Sequence, residues 1–119
     1  PLPVSAPFHS SLLKPASEKL SVYLKDKTFN APGLTVINNV DVAVVNDPEG
    51  IKDALIRQAA APVRWVETIQ EMAKQGVTHI VECGPGKVLA GLTKRIDSNL
   101  VGLSITDPAS IEQVMAELA

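Results

Sequence analysis

Val77-Thr78-His79-Ile80-Val81-Glu82-Cys83-Gly84-Pro85-Gly86-Lys87-Val88-Leu89-Ala90-Gly91-Leu92-Thr93-Lys94-Arg95-Ile96 is the stretch whose reading decides the fold. Its first seven residues are rich in β-branched and apolar side chains, as in a strand. Gly84-Pro85-Gly86 makes a tight turn, and apolar residues then recur at helical spacing to Ile96. Leu100 to Ile105 reads as the next strand. Strands that alternate with helices in this way suit a parallel sheet. Asp107-Pro108 then supplies an N-cap followed by proline at the first helical position. Ile111, Val114, Met115 and Leu118 complete a last amphipathic helix.

Upstream, Trp65, Val66, Ile69, Met72 and Ala73 make the buried stripe of a helix that begins near Val63 and stops at Gly76. Another helix is predicted from Ile51 to about Ala60, after a turn at Asn46–Gly50 and before Pro62. Asp41 to Val45 reads as a short extended piece. Leu34 to Val40 is nearly continuous in apolar character, which predicts a buried parallel strand ending at Asn38 and Asn39. Asn30-Ala31-Pro32-Gly33 is a turn. The first helix should run from Ser10 or Ser11 to about Asp26, irregular as far as Lys14 and regular from Pro15. Leu13, Ala16, Leu20, Tyr23 and Leu24 would form its inner face. The alternation of helices and strands predicts an α/β layered domain with a parallel sheet.

The 119 residues suit one domain or a piece of a larger one. With 11 basic and 13 acidic residues the net charge is −2, and the basic residues form no long run, so nothing suggests a nucleic-acid surface. A single cysteine, Cys83, excludes an internal disulfide and fits a reducing compartment. No apolar run approaches the ~20 residues of a membrane span, and no signal peptide stands at the start. The chain opens without methionine, in mid-pattern, as a fragment or cleaved product would.

Among candidate sites, His9 stands out. Pro1, Pro3 and Pro7 stiffen the approach, so the imidazole is delivered from a non-helical segment just before a helix. Other candidates are weaker. Gly84-Pro85-Gly86-Lys87 could meet an anion at a helix N-terminus, but its spacing fits neither the dinucleotide fingerprint nor the Walker loop, so it reads chiefly as a structural turn. Gly102-Leu103-Ser104-Ile105-Thr106 approaches a G-x-S-x-G nucleophile elbow, yet Thr106 takes the second glycine's place and Ser104 falls inside an apolar strand. His79 starts a strand as a bystander, and Cys83 reads as a small buried hydrophobe. Two histidines and one cysteine at unrelated spacings are no zinc site. The amides of Asn38 and Asn39 suit turn hydrogen bonding.

Several motifs in one order then point to a family. Pro3-Val4-Ser5-Ala6-Pro7-Phe8-His9-Ser10, Leu13-Lys14-Pro15-Ala16, Val36-Ile37-Asn38-Asn39-Val40-Asp41, Ala54-Leu55-Ile56-Arg57-Gln58, Pro62-Val63-Arg64-Trp65 and Glu82-Cys83-Gly84-Pro85-Gly86-Lys87-Val88-Leu89-Ala90-Gly91-Leu92 closely resemble malonyl-CoA:acyl carrier protein transacylases. The resemblance implies a three-layer, α/β-hydrolase-like acyltransferase core of which residues 1–119 are the C-terminal part of the large subdomain. The nucleophile elbow and the ferredoxin-like subdomain would lie in sequence this chain lacks.

In that family a malonyl group passes from coenzyme A to the phosphopantetheine thiol of acyl carrier protein through an acyl-serine, without a cofactor or metal, for fatty acid biosynthesis. The resemblance places the general base at His9. It makes the main-chain carbonyl of Gln58 the group that orients the imidazole, and sets Phe8 beside the base as a residue favouring malonyl over branched substrates. It implies as partners the missing N-terminal portion, acyl carrier protein and the coenzyme A thioester, in the cytoplasm. Lys94 and Arg95 could help dock an acidic carrier, or serve simply as solvated helix-end charges. A chain with a base but no nucleophile should be inactive alone. Two other readings stand beside this one: an acyltransferase domain of a polyketide or fatty-acid megasynthase, and a non-catalytic α/β module holding an anion or coenzyme A phosphate at Gly84–Lys87.

Overall fold

The structure is a computed structural model that describes residues 6–119; the lead-in from Pro1 to Ser5, with two of the three prolines read as stiffening His9, lies outside the described residues. Contacts divide the chain into two compact units after Thr68.

In the first unit a short 3-10 turn, Ser11–Leu13, leads into α1, Lys14–Leu24, with Pro15 in its first turn where the missing N–H costs nothing. α1 packs against α2, Pro48–Gln58, where Leu24 and Ala54 are buried. Ser17 Oγ donates to the Ile56 carbonyl at 2.6 Å, adding a polar tie between the two helices. The expected inner face of α1 is only partly realised. Tyr23 is 63% exposed, and its ring sits 4.5 Å from the Lys27 ammonium instead of in a core.

α2 starts three residues before the predicted Ile51. Asp47 caps it by accepting from the Gly50 N–H at 2.6 Å, and Pro48 occupies the first turn. Leu34 to Val40 is not a buried parallel strand. Only Ile37–Asn38 (β1) is extended into a ladder, paired antiparallel with Ala43–Val44 (β2), while Leu34 is 82% exposed. The reason is local. Asn38 Oδ1 accepts from Asp41 N–H at 2.8 Å and Asn38 Nδ2 donates to the Ala43 carbonyl at 3.1 Å. These bonds fold the run back on itself after two residues, the turn chemistry that asparagine favours.

α3, Trp65–Lys74, spans the division between the units. It ends in a Schellman motif: Gly76 adopts φ +88°, its N–H reaches Ala73 O, and the Val77 N–H reaches Met72 O.

The second unit is a strand–helix–strand–helix: β3 (His79–Cys83), α4 (Val88–Ile96), β4 (Val101–Ile105) and α5 (Pro108–Leu118). β3 and β4 pair in parallel with His79 opposite Val101 and Cys83 opposite Ile105. α4 packs on both strands and α5 on β4. Ile69, Thr93, Leu100 and Val114 are its buried residues. Gly102 is required here, because a Cβ would run into the Ala90 carbonyl oxygen of α4. Asp107 caps α5 in a reciprocal box with Ser110, and that bonding holds its carboxyl below the usual carboxylate range. The parallel α/β character read from Val77–Ile96 is therefore present, in two strands where three had been expected.

Candidate active site

His9 sits at a corner that the backbone makes deliberately. The Phe8 N–H reaches back to Ala6 O at 2.8 Å, Ser10 Oγ donates to Pro7 O at 2.7 Å, and His9 between them takes φ +54°. Histidine tolerates that left-handed region better than most residues, but it is still uncommon for a non-glycine. Proline at position 7 and the serine hydroxyl hold the corner, so the ring leaves the chain in one direction.

That direction is towards the last residue of α2. His9 Nδ1 lies 3.2 Å from the main-chain oxygen of Gln58. A carbonyl only accepts, so Nδ1 carries the proton, and in the neutral ring Nε2 is left with its lone pair. The carbonyl is available because helix ends leave their last C=O groups without helical partners. Here it also receives the Ala61 N–H at 3.3 Å. The negative end of the α2 dipole thus faces the imidazole, a neutral counterpart to a carboxylate.

Gln58 is itself fixed. Its side-chain Oε1 accepts the main-chain N–H of Asn39 at 3.1 Å. Next to it, Arg57 grips Asp41 with two parallel bonds of 2.8 and 2.7 Å and reaches Asp53 at 2.7 Å. The guanidinium holds the Asp41 carboxyl below the usual carboxylate range. Arg64 bonds both oxygens of Glu67 and extends to Val40 O at 3.4 Å. Asp41, Arg57 and Thr68 were not singled out as site residues from the sequence. Asn39 was weighed there with Asn38 and read as a turn amide; its main-chain N–H meets Gln58 and its side chain lies against Thr68.

Phe8, next to His9 in the chain, is 60% exposed. A cleft of about 370 Å³ opens between α2 and the segment from Phe29 to Asn39, walled by Val36, Ile37, Ile51, Leu55 and Gln58 among others. Neither Phe8 nor His9 lines it.

The other candidates disperse. The N-terminus of α4 is already occupied: Glu82 Oε2 accepts the Ala90 N–H at 2.9 Å, placing a fixed negative charge where the Gly84–Lys87 turn was to meet an anion. Ser104 lies within β4, half-buried, and His79 begins β3 with Nδ1 2.9 Å from Thr78 Oγ1. Cys83 is exposed, against expectation, at the last position of β3. Among the described residues no three His, Cys, Asp or Glu side chains gather as metal ligands, and no helix is long and apolar enough to cross a membrane.

No protein-family model matches the chain. Individual relatives do. A malonyl CoA-acyl carrier protein transacylase of Salmonella typhimurium is 48% identical over 117 residues, which is 98% of this chain and 38% of the relative. One of Bacillus subtilis is 42% identical over 118 residues, 99% of this chain and 37% of the relative. Among solved structures, an acyl-carrier-protein S-malonyltransferase from Burkholderia pseudomallei is 68% identical with TM-score 0.92, covering 98% of this chain and 38% of that one. A malonyl-transacylase solved in complex with a type II PKS acyl-carrier protein is 45% identical with TM-score 0.93 over the same shares. The chain spans a little under two fifths of the length of the curated relatives it matches.

Proposed function

We propose, for a chain that belongs to the malonyl CoA-acyl carrier protein transacylase family, that residues 1–119 are the C-terminal part of the large acyltransferase subdomain and supply its general base. The full-length enzyme transfers a malonyl group from coenzyme A to the phosphopantetheine thiol of acyl carrier protein for fatty acid biosynthesis, in the cytoplasm and without a cofactor. The nucleophilic serine comes from the portion outside this chain.

The roles follow from the ring's tautomer. His9 Nε2 takes the serine proton as the serine oxygen attacks the malonyl thioester carbonyl. The C–S bond breaks, and the coenzyme A sulfur leaves with the proton that Nε2 held. In the second half the carrier thiol gives its proton to Nε2, its sulfur attacks the acyl-serine ester, and the serine oxygen recovers the proton. Gln58 orients the imidazole through its main-chain oxygen, in the place an aspartate takes in hydrolase triads. Phe8 crowds an α-methyl branch and so favours malonyl.

The observation that carries the reading is the 3.2 Å approach of Nδ1 to the Gln58 carbonyl, which puts the proton on Nδ1 and the lone pair of the neutral ring on Nε2. The capped α4 N-terminus speaks against an anion-binding module at Gly84–Lys87. His9→Ala in the full-length enzyme is expected to lower kcat ~10²–10⁴-fold with malonyl-CoA binding retained. The 119-residue chain alone is expected to transfer no malonyl group. Unchanged turnover in His9→Ala, or robust transfer by the isolated chain, overturns the reading.

A further inference from the structure

We infer that the side chain of Gln58, and not its main-chain carbonyl alone, is a positioning device for His9, held in place by the hairpin loop from Asn39 to Val42. The inference rests on the reading of His9 as the base. It adds what holds the carbonyl still.

A carbonyl at a helix end is a poor orienting group by itself. The last turn of a helix frays, and its terminal C=O groups swing more freely than those inside. Here two adjacent residues of the last turn of α2 are tied to one four-residue loop. Gln58 Oε1 takes the Asn39 N–H at 3.1 Å, and Arg57 takes both oxygens of Asp41 at 2.8 and 2.7 Å. Side chains one position apart on a helix diverge by ~100°, so two such ties fix the rotation of the turn as well as its distance. The Gln58 main-chain oxygen is then set relative to His9.

The loop is built to serve as the fixed partner. Asn38 closes it through both ends of its amide, and Val42 N–H returns to Asn38 O at 3.1 Å. Val42 takes φ +56°, a position that a β-branched residue occupies only under strain. The strain lets the chain turn with the Asn39 N–H pointing at α2 instead of joining the β1–β2 ladder.

The loop is also anchored away from the site. Asn39 Oδ1 is 3.1 Å from the hydroxyl of Thr68, which is 1% exposed, and that hydroxyl is 2.9 Å from the Arg64 carbonyl. A hydroxyl has one hydrogen. With the Asn39 amide turned nitrogen-first, it donates to Thr68 while Thr68 donates to Arg64, and both contacts are satisfied. A buried threonine on α3 therefore steadies the loop that steadies Gln58.

Gln58→Ala separates the two roles, since it keeps the main-chain oxygen and removes the tie. In the full-length enzyme it is expected to lower kcat by ~10-fold or more with KM little changed, the scale on which small misplacements of catalytic groups act. Gln58→Glu keeps an acceptor for the Asn39 N–H and is expected to recover most of that loss. Combined with His9→Ala, Gln58→Ala should add nothing, because a positioning residue has no effect once its target is gone.

The ring nitrogens give a readout that overall folding does not move. In nitrogen-15 spectra His9 should be Nδ1-protonated in the parent and in Gln58→Glu, and lose that preference in Gln58→Ala, with His79 as the unchanged control. Should Gln58→Ala fail to fold, Asp41→Ala, which removes both acceptors of the second tie and keeps the loop backbone, is expected to give a smaller loss of the same kind. The inference is overturned if His9→Ala is inactive while Gln58→Ala stays within about twofold of the parent, if Gln58→Glu is no better than Gln58→Ala, or if Asp41→Ala as the fallback leaves kcat and the His9 tautomer unchanged. An active His9→Ala enzyme defeats instead the assignment of the base.

Discussion

Gly102→Ala is the sharpest structural test, because the contact it creates is with backbone and cannot be relieved by a rotamer change. A Cβ at position 102 of β4 falls against the Ala90 carbonyl oxygen, and lies 3.2 Å from both the carbonyl carbon and the Cβ of Thr93. Thr93 is fully buried, so it has nowhere to move. Either α4 lifts from β4 or the strand bends away. Overpacking of this kind costs ~1–3 kcal/mol.

Unfolding entropy of ~2.1 cal/mol/K per residue over 119 residues gives about 0.25 kcal/mol/K, so ~2 kcal/mol lowers Tm by about 8 °C. Gly91, on α4 itself, has nothing within 4 Å of a Cβ. Gly91→Ala should therefore gain the ~0.5–1 kcal/mol of a helix-interior glycine replaced by alanine, and raise Tm by about 2–4 °C. Thermal melts followed by far-ultraviolet dichroism compare the pair. If Gly102→Ala melts with the parent, or both alanines shift Tm the same way, the packing of α4 on β4 is not as argued.

Two further outcomes concern charge. Glu82→Ala removes the acceptor for the Ala90 N–H and should cost ~1 kcal/mol, the scale of a lost helix cap, whereas Glu82→Gln retains an oxygen there and should cost less. A melt series checks the order, and stabilisation of the parent by inorganic phosphate would revive an anion site at the Gly84–Lys87 turn. On acidification, Asp41, Glu67 and Asp107 contribute in one direction. Arg57 lowers the first, Arg64 the second, and the Ser110 backbone and hydroxyl the third. At pH about 4 the unfolded chain then binds more protons than the folded one, so their contribution is present above that range and lost as pH falls through the lowered values. The urea midpoint should be level from neutral pH to about 5 and fall below about 4; a midpoint that rises on acidification through that range refutes the pairing.

What could be read in the sequence depended on whether the signal was local. Asp107-Pro108 and Asp47-Pro48 are the same cap, an aspartate before a first-turn proline, and both begin helices. The second escaped because Glu49 and Gly50 follow it and look like a turn. Strand β3, the Gly76 stop and β4 were legible because apolar period and glycine placement act within a few residues. Leu34 to Val40 was not, since its composition suits a parallel strand equally well. The choice between that and a hairpin was made by two amide hydrogen bonds from Asn38. Cys83 has an apolar strand before it, which reads as burial, yet it is exposed at the strand's last position.

The site shows the same division more sharply. His9 is visible in sequence because a proline and a histidine at a chain corner are unusual residue types in an unusual place. The partner that gives it direction is a main-chain oxygen, and every residue has one. Composition and spacing cannot distinguish the oxygen of Gln58 from that of Arg57 or Ala59, and only the resemblance to a family named it. What residue 58 contributes through its own chemistry is the side-chain bond to Asn39, 19 residues earlier in the chain. A glutamine at a helix end whose side chain points back to a strained hairpin is the arrangement expected if a neutral carbonyl must do an aspartate's orienting work. An aspartate can track a moving imidazole by rotating its carboxylate; a peptide carbonyl cannot, so the whole helix end has to be held.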